Sequence, residues 1–337
     1  MSLHWLSSAV LLLFLLVCCG GSGAGANAAK TPEASKEFEL FKPGETPGFA
    51  AGEEGDNALY ESVSSFYGHS LLEMRGVLVA LAVGARDDRG SNVGFDLWAK
   101  YSAHGADEKL KEDVAWEGKE WRTQLVTKRQ GEAIRNRELF GPKALVTESK
   151  IYLLLSTVAM TGTYPPLADG WDLVLIVGDV PKPVEGEKPI AWGEPTSVKS
   201  ALAEQMQKNS WAGLYVAGGA RGVAVGDATI LFPLAGATHG EAGARACTVV
   251  YSDDRGSSWK FPAAPVIAQG CDGATLLEWA DKLFMATSGP SPWRRRVFES
   301  GDKGKTWNEA AGPFARLLGD AYVLSMGSGA SDLISAT

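Results

Sequence analysis

Two copies of one short pattern constrain this chain more than any other feature. Ser252-Asp253-Asp254-Arg255-Gly256-Ser257-Ser258-Trp259 and Ser300-Gly301-Asp302-Lys303-Gly304-Lys305-Thr306-Trp307 both read Ser-x-Asp-x-Gly-x-x-Trp. Each copy follows β-forming residues, Thr248-Val249-Val250-Tyr251 in the first case and Val297-Phe298 in the second. The chemistry is that of a tight hairpin. Short Ser and Asp side chains bond turn amides, Gly supplies a positive φ, and Trp folds back as an apolar plug. The copies are separated by about one blade period of a repeated four-stranded sheet. A repeat of this kind specifies a fold and carries no chemistry of its own.

The forty glycines demand many turns, which favours an all-β design over helices. With 45% hydrophobic and 21% charged residues, the chain is long enough to bury a sizeable core. A net charge of −8 argues against nucleic acid or an anionic membrane as the main partner.

Residues 1–28 contain no Asp, Glu, Lys or Arg, and Ala9 to Cys18 form an apolar run followed by small residues ending in Ala26-Asn27-Ala28. That pattern predicts a secretory signal peptide cut after Ala28, too short to span a bilayer. The alternative is a buried N-terminal segment. Once Cys18 and Cys19 leave with the signal, Cys247 and Cys271 remain. In an oxidising compartment they can pair, closing a loop worth about 3 kcal/mol; otherwise they stay as two buried thiols. Both readings stand at this point. No Asn-x-Ser/Thr sequon is present, and Ser325 to Thr337 lack a lipid-anchor signal.

Residues 29–57 read as a flexible, exposed lead-in rich in Glu, Lys, Pro and Gly, with structure expected from Ala58. Gly76 to Val83 is an apolar run of strand length, buried on both faces, and Phe95 to Tyr101 gives another strand with Trp98 in the core. Ala103 to Lys119 reads as a short helix or surface excursion, and strand character resumes at Trp121 to Thr127. Lys143 to Val146 pairs with Ile151 to Leu155, and Asp172 to Val177 with Ile190 to Trp192. A brief helix is expected over Val198 to Asn209. Gly222 to Val225 and Thr229 to Phe232 flank a short turn, and Ala274 to Glu278 with Lys282 to Thr287 lie between the two motifs. Short strands at regular spacing without alternating helices indicate a propeller of four-stranded blades.

Several blocks resemble the trypanosomal trans-sialidase superfamily. They are Gly76 to Ala82 with Asp96-Leu97-Trp98-Ala99-Lys100-Tyr101-Ser102, then Gly170-Trp171-Asp172-Leu173-Val174-Leu175, Leu231-Phe232-Pro233, Tyr251 to Phe261, Leu277-Glu278-Trp279, and Arg294 to Ser300. The motif built on Ser252, Asp254, Gly256, Trp259 and on Ser300, Asp302, Gly304, Trp307 is similar to the Asp box of that family. The resemblance runs from about Phe66 to about Gly312. It implies an all-β, sialidase-type six-bladed β-propeller, present here incompletely. About four blades lie in residues 58–313, followed by a degenerate tail over 314–337. It also implies a secreted or cell-surface protein whose partners are host sialoglycans or host surface proteins.

Retaining sialidase chemistry needs an arginine triad on the sugar carboxylate, a Tyr nucleophile with a Glu base, and an Asp acid/base. Carried over residue by residue, these groups are missing. Where the family has Phe-Arg-x-Pro, this chain has Phe66-Tyr67-Gly68-His69. Ser91 stands at the acid/base position, with Arg86, Asp87, Asp88 and Arg89 out of register. Gly141 replaces an Asp before Pro142, and Gly273 replaces the Glu that follows a Cys, here Cys271. Thr287-Ser288-Gly289 occupies the place of the second arginine, and the one tyrosine beyond Ala315, Tyr322, lacks the family's surroundings. The expectation is a catalytically inactive member acting as a glycan or host-protein binder or a variant antigen, with no catalytic residues, cofactor or metal. The competing readings are an active exo-α-sialidase or trans-sialidase using other residues, and a truncated product without function.

Smaller features have plainer explanations. Gly304-Lys305-Thr306 lacks the leading Gly of a phosphate loop, where Glu299 stands. His69, His104 and His239 have no metal-ligand spacing. Arg294 to Arg296 read as alternating residues of an edge strand, or as a cluster for acidic glycans, and Tyr164 as a loop residue or a sugar-stacking ring.

Overall fold

The computed structural model describes residues 39–45, 60–74, 76–88, 92–103, 121–128, 136–160, 170–181, 190–216, 221–239, 244–263, 268–271, 273–287, 296–313 and 316. The signal-peptide segment, the tail beyond 316 and most of the 103–119 excursion lie outside them.

Four antiparallel sheets follow one another along the chain. The first holds β1 (Val63–Met74), β2 (Val77–Asp88), β3 (Asn92–Ala103) and β4 (Arg122–Leu125) in that spatial order. The second holds β5 (Arg137–Val146), β6 (Lys150–Ala159), β7 (Trp171–Asp179) and β8 (Ala191–Trp192), with β9 (Thr196–Ser197) also on β7. Helix α1 (Lys199–Lys208) precedes the third sheet of β10 (Trp211–Tyr215), β12 (Thr229–Thr238), β13 (Arg245–Ser252) and β14 (Ala268–Gln269), where β11 (Val223–Val225) also pairs with β12. The fourth is β15 (Ala274–Trp279), β16 (Lys282–Thr287), β17 (Arg296–Ser300) and β18 (Asn308–Glu309).

Each sheet is sandwiched, so the period-2 alternation of a strand sends successive residues into two different cores. In β2, Val77, Val79, Leu81 and Val83 face the second sheet, while Ala80 and Ala82 join Phe41, Tyr60, Val63 and Trp98 on the other side. In β6, Ile151, Leu153 and Leu155 pack back against the first sheet, and Tyr152 and Leu154 forward against the third. In β12, Phe232 and Leu234 face back and Leu231 and Ala235 face the fourth sheet. Continuous apolar runs such as Gly76 to Val83 are the sequence signature of this two-sided burial.

Three differences from the sequence reading have physical causes. β1 and β10 were not anticipated, because register shifts between Tyr67 and Ser70 and between Trp211 and Gly213 break their alternation. Within the segment read as an exposed lead-in, Phe41 is buried, with its ring 5.3 Å from Phe66. Lys100 donates to the Leu40 carbonyl at 2.6 Å and lies over the Phe41 and Tyr60 rings. That segment covers the face of the first sheet turned away from the second. Finally, Arg296 does not belong to an edge strand: β17 is flanked by β16 and β18, and Arg296 pairs with Glu309 at 3.0 Å. Arg294 and Arg295 lie outside the described residues.

Candidate functional site on the inner strands

The repeated motif residues assemble two nearly identical turns. Ser252 Oγ accepts from the Gly256 amide at 2.7 Å and donates to Asp254 at 2.6 Å, and Asp254 in turn accepts from the Ser258 amide at 2.8 Å. In the second copy Ser300 accepts from Gly304 at 2.9 Å and donates to Asp302 at 2.8 Å, and Asp302 accepts from the Thr306 amide at 2.8 Å. Gly256 has φ +86° and Gly304 φ +83°, values that favour glycine. The residues before them, Arg255 and Lys303, also have positive φ, at 59° and 60°. Trp259 packs into the core between the second and third sheets, and Trp307 into that between the third and fourth. Cys247 on β13 and Cys271 after β14 are joined in a disulfide with Cα atoms 5.5 Å apart. These are framework features. Each turn closes the third strand of its sheet.

A different set of residues gathers around the first strands of successive sheets, with Phe95 of β3 and Trp171 of β7 packed against them. Tyr67 on β1 donates its hydroxyl to the Leu139 carbonyl of β5 at 2.9 Å and meets Phe95 edge-on at 6.5 Å. Phe140, next to Leu139, stacks on Trp171 at 5.5 Å, and Trp171 reaches Tyr215 on β10 at 6.2 Å. The five rings thus lie in an arc of two groups across three blades, Tyr67 with Phe95 and Phe140 with Trp171 and Tyr215, joined through the Tyr67–Leu139 hydrogen bond, each ring partly exposed. Bulges key the strands together directly after these rings. A Cβ on Gly68 (φ +63°) would stand 3.1 Å from the Pro142 ring, and one on Gly141 (φ +52°) 3.3 Å from the Val216 carbonyl oxygen. Val216 also donates its amide to Ser156 Oγ at 2.6 Å.

The charged groups flanking the arc are held by neighbours. Arg86 pairs with the fully buried Asp96 at 2.8 Å. Arg137 donates to Thr157 Oγ1 at 2.7 Å, to the Thr157 carbonyl at 3.1 Å and to the Gly170 carbonyl. Burial pulls the Arg137 guanidinium below its ordinary value, opposed by nearby Asp172. Lys143, after Pro142, is buried.

The structure therefore brings together Tyr67, Gly141 and Pro142 from the positions singled out in the sequence. Gly273 faces open space, Thr287 is buried and donates to the Arg296 carbonyl at 3.2 Å, and His69 lies 6.1 Å from the Phe41 ring. His239 is exposed, and among the described residues no group of three or more His, Cys, Asp or Glu could hold a metal ion. Arg89, Ser91, His104, Tyr164, Ser288, Gly289 and Tyr322 lie outside the described residues, as do the side chains of Asp87 and Asp88. Sequence reasoning missed Phe140, Trp171 as part of a site, and Tyr215. Only the ring contacts made by Trp171 of β7 unite them.

These four consecutive sheets, with Asp boxes closing third strands, are blades of a sialidase-type β-propeller, and among the described residues they do not close into a ring. A family model for the BNR repeat-like domain matches residues 69–335, and the chain belongs to that family within the trans-sialidase-like superfamily. It is 28% identical over 249 residues to a sialidase of Trypanosoma cruzi, covering 72% of this chain and 20% of the relative. It is also 28% identical to Sialidase 85-1.1 of the same organism, covering 74% of this chain and 33% of the relative. The structure of Trypanosoma rangeli sialidase in complex with sialic acid superimposes with a TM-score of 0.59 at 25% identity, over 82% of this chain and 42% of that one. The chain thus spans a third or less of the length of these curated relatives.

Proposed function

We propose that this chain is a secreted or surface-displayed, non-hydrolytic member of its superfamily that binds glycans or host-surface proteins. The observation that carries this reading is Tyr67. It stands where the resemblance places the first arginine of the carboxylate clamp, and its hydroxyl is directed at the Leu139 carbonyl. A phenol so engaged supplies no positive charge for a sugar carboxylate. Gly141 and Gly273 stand where the resemblance places a substrate-binding Asp and the Glu base, so two further groups are absent together. The T. rangeli relative in complex with sialic acid supports a glycan as the ligand class.

The test is catalytic. The purified chain is expected to release no sialic acid from a fluorogenic sialoside and to transfer none to lactose. Gly273→Glu is expected to leave that result unchanged, because catalytic residues that act as a unit are not restored singly. Turnover above a heat-killed control, abolished by Tyr322→Phe, would overturn the proposal.

A further inference from the structure

We infer that the arc of Phe95, Tyr67, Phe140, Trp171 and Tyr215 is a stacking site for an uncharged pyranose ring. This rests on the reading of the chain as a glycan binder and names the sugar class its inner strands select. The rings come from three blades, linked through Tyr67 to the Leu139 carbonyl, Phe140 to Trp171 at 5.5 Å and Trp171 to Tyr215 at 6.2 Å. Each is partly exposed. Aromatic faces carry negative quadrupole density, so they attract the polarised C–H bonds lining one face of a pyranose and repel a carboxylate.

The neighbouring cations do not change that preference. Arg86 is neutralised by the buried carboxylate of Asp96 at 2.8 Å, and Arg137, its donors turned to Thr157 and the Gly170 carbonyl, has the opposing charge of Asp172 nearby. An anionic sugar arriving at the arc meets π faces and two guanidinium groups each offset by a carboxylate, Asp96 and Asp172, whereas a neutral ring needs neither cation. The arc is also preorganised. The bulges at Gly68 and Gly141 abut Pro142 and the Val216 carbonyl, so the strands bearing Tyr67, Phe140 and Tyr215 are keyed to one another before any ligand arrives.

Saturation-transfer NMR on the full chain tests this, with methyl β-glucopyranoside and methyl β-galactopyranoside as neutral probes and N-acetylneuraminic acid as the charged one. Irradiating aromatic protons is expected to transfer to the C–H protons of one face of a neutral ring. Titration is expected to show neutral rings bound more tightly than the acid, with Trp171→Ala weakening them about tenfold. Should that variant fail to fold, the face-selective transfer in the unmodified chain still decides the matter. Preference for N-acetylneuraminic acid, transfer without face selectivity, an unweakened folded Trp171→Ala, or no binding of neutral rings would each overturn the inference. Preference for the acid without turnover would leave the glycan-binder reading standing; sialoside turnover would remove that reading whatever the neutral rings do.

Discussion

The phenol of Tyr152 donates to the main-chain oxygen of Arg255 at 3.1 Å, tying the second sheet to the Asp box of the third across 103 positions of sequence. Arg255 sits at φ +59°, and its amide is held by the Ala228 carbonyl at 3.0 Å. The turn is therefore clasped from two sides.

Tyr152→Phe is expected to lower stability by about 1 kcal/mol, the net worth of one hydrogen bond. Gly256→Ala should do more harm. Its left-handed backbone costs a β-carbon about 1–2 kcal/mol, and that atom would stand 3.0 Å from the Tyr152 ring. Denaturant titrations of both variants check the ranking; a Gly256→Ala protein as stable as the parent contradicts it.

Ser252 is fully buried and serves the Gly256 amide, the Asp254 amide and the Asp254 carboxylate at once. Ser252→Ala leaves a turn amide without its acceptor, which costs about 1–3 kcal/mol. Ser300→Ala is expected to behave alike, since its contacts repeat those of Ser252. Melting curves of the two variants should shift downward together.

Acid should loosen both turns. Hydrogen bonds from Ser252 and Ser258 hold the Asp254 carboxyl down from its ordinary 3.8 to about 2. For Asp302, burial pushes upward, but hydrogen bonds from Thr306 and Ser300 outweigh it and the net shift is also down. A carboxylate whose folded-state value is depressed stabilises the fold above its unfolded value and loses that contribution as pH falls through the folded one. Stability is thus expected to fall between about pH 4 and pH 2. Replacing both residues with Asn should flatten the decline, as measured by urea midpoints across that range.

The strand interiors were legible because two-sided burial writes continuous apolar runs, as in Gly76 to Val83 and Ile151 to Leu155. α1 was legible too, running Lys199–Lys208 within the expected 198–209. β1 and β10 were not, since register shifts between Tyr67 and Ser70 and between Trp211 and Gly213 interrupt their alternation. The ring arc left no local trace at all. Tyr67, Phe140 and Tyr215 are remote in sequence, each on the first strand of its sheet, and are linked only through the Leu139 carbonyl and the Trp171 ring.

The Cys247–Cys271 link is expected to survive non-reducing peptide mapping as one cross-linked fragment. Changing both residues to Ser should lower stability by about 3 kcal/mol through the freedom returned to the unfolded loop. Recovery of two alkylated thiols from unreduced, folded protein would contradict the pairing.

The keyed bulge at Gly141 limits how independently the two blades it joins can vary. Its φ of +52° and the 3.3 Å gap between a would-be Cβ and the Val216 oxygen mean that the main chain leaves little room for any side chain there. A β-branched residue placed there would inherit a left-handed backbone costing about 1–2 kcal/mol. It would also press against the neighbouring blade. A change at this position is thereby discouraged unless the facing blade changes with it, as one cog recut needs its mate recut.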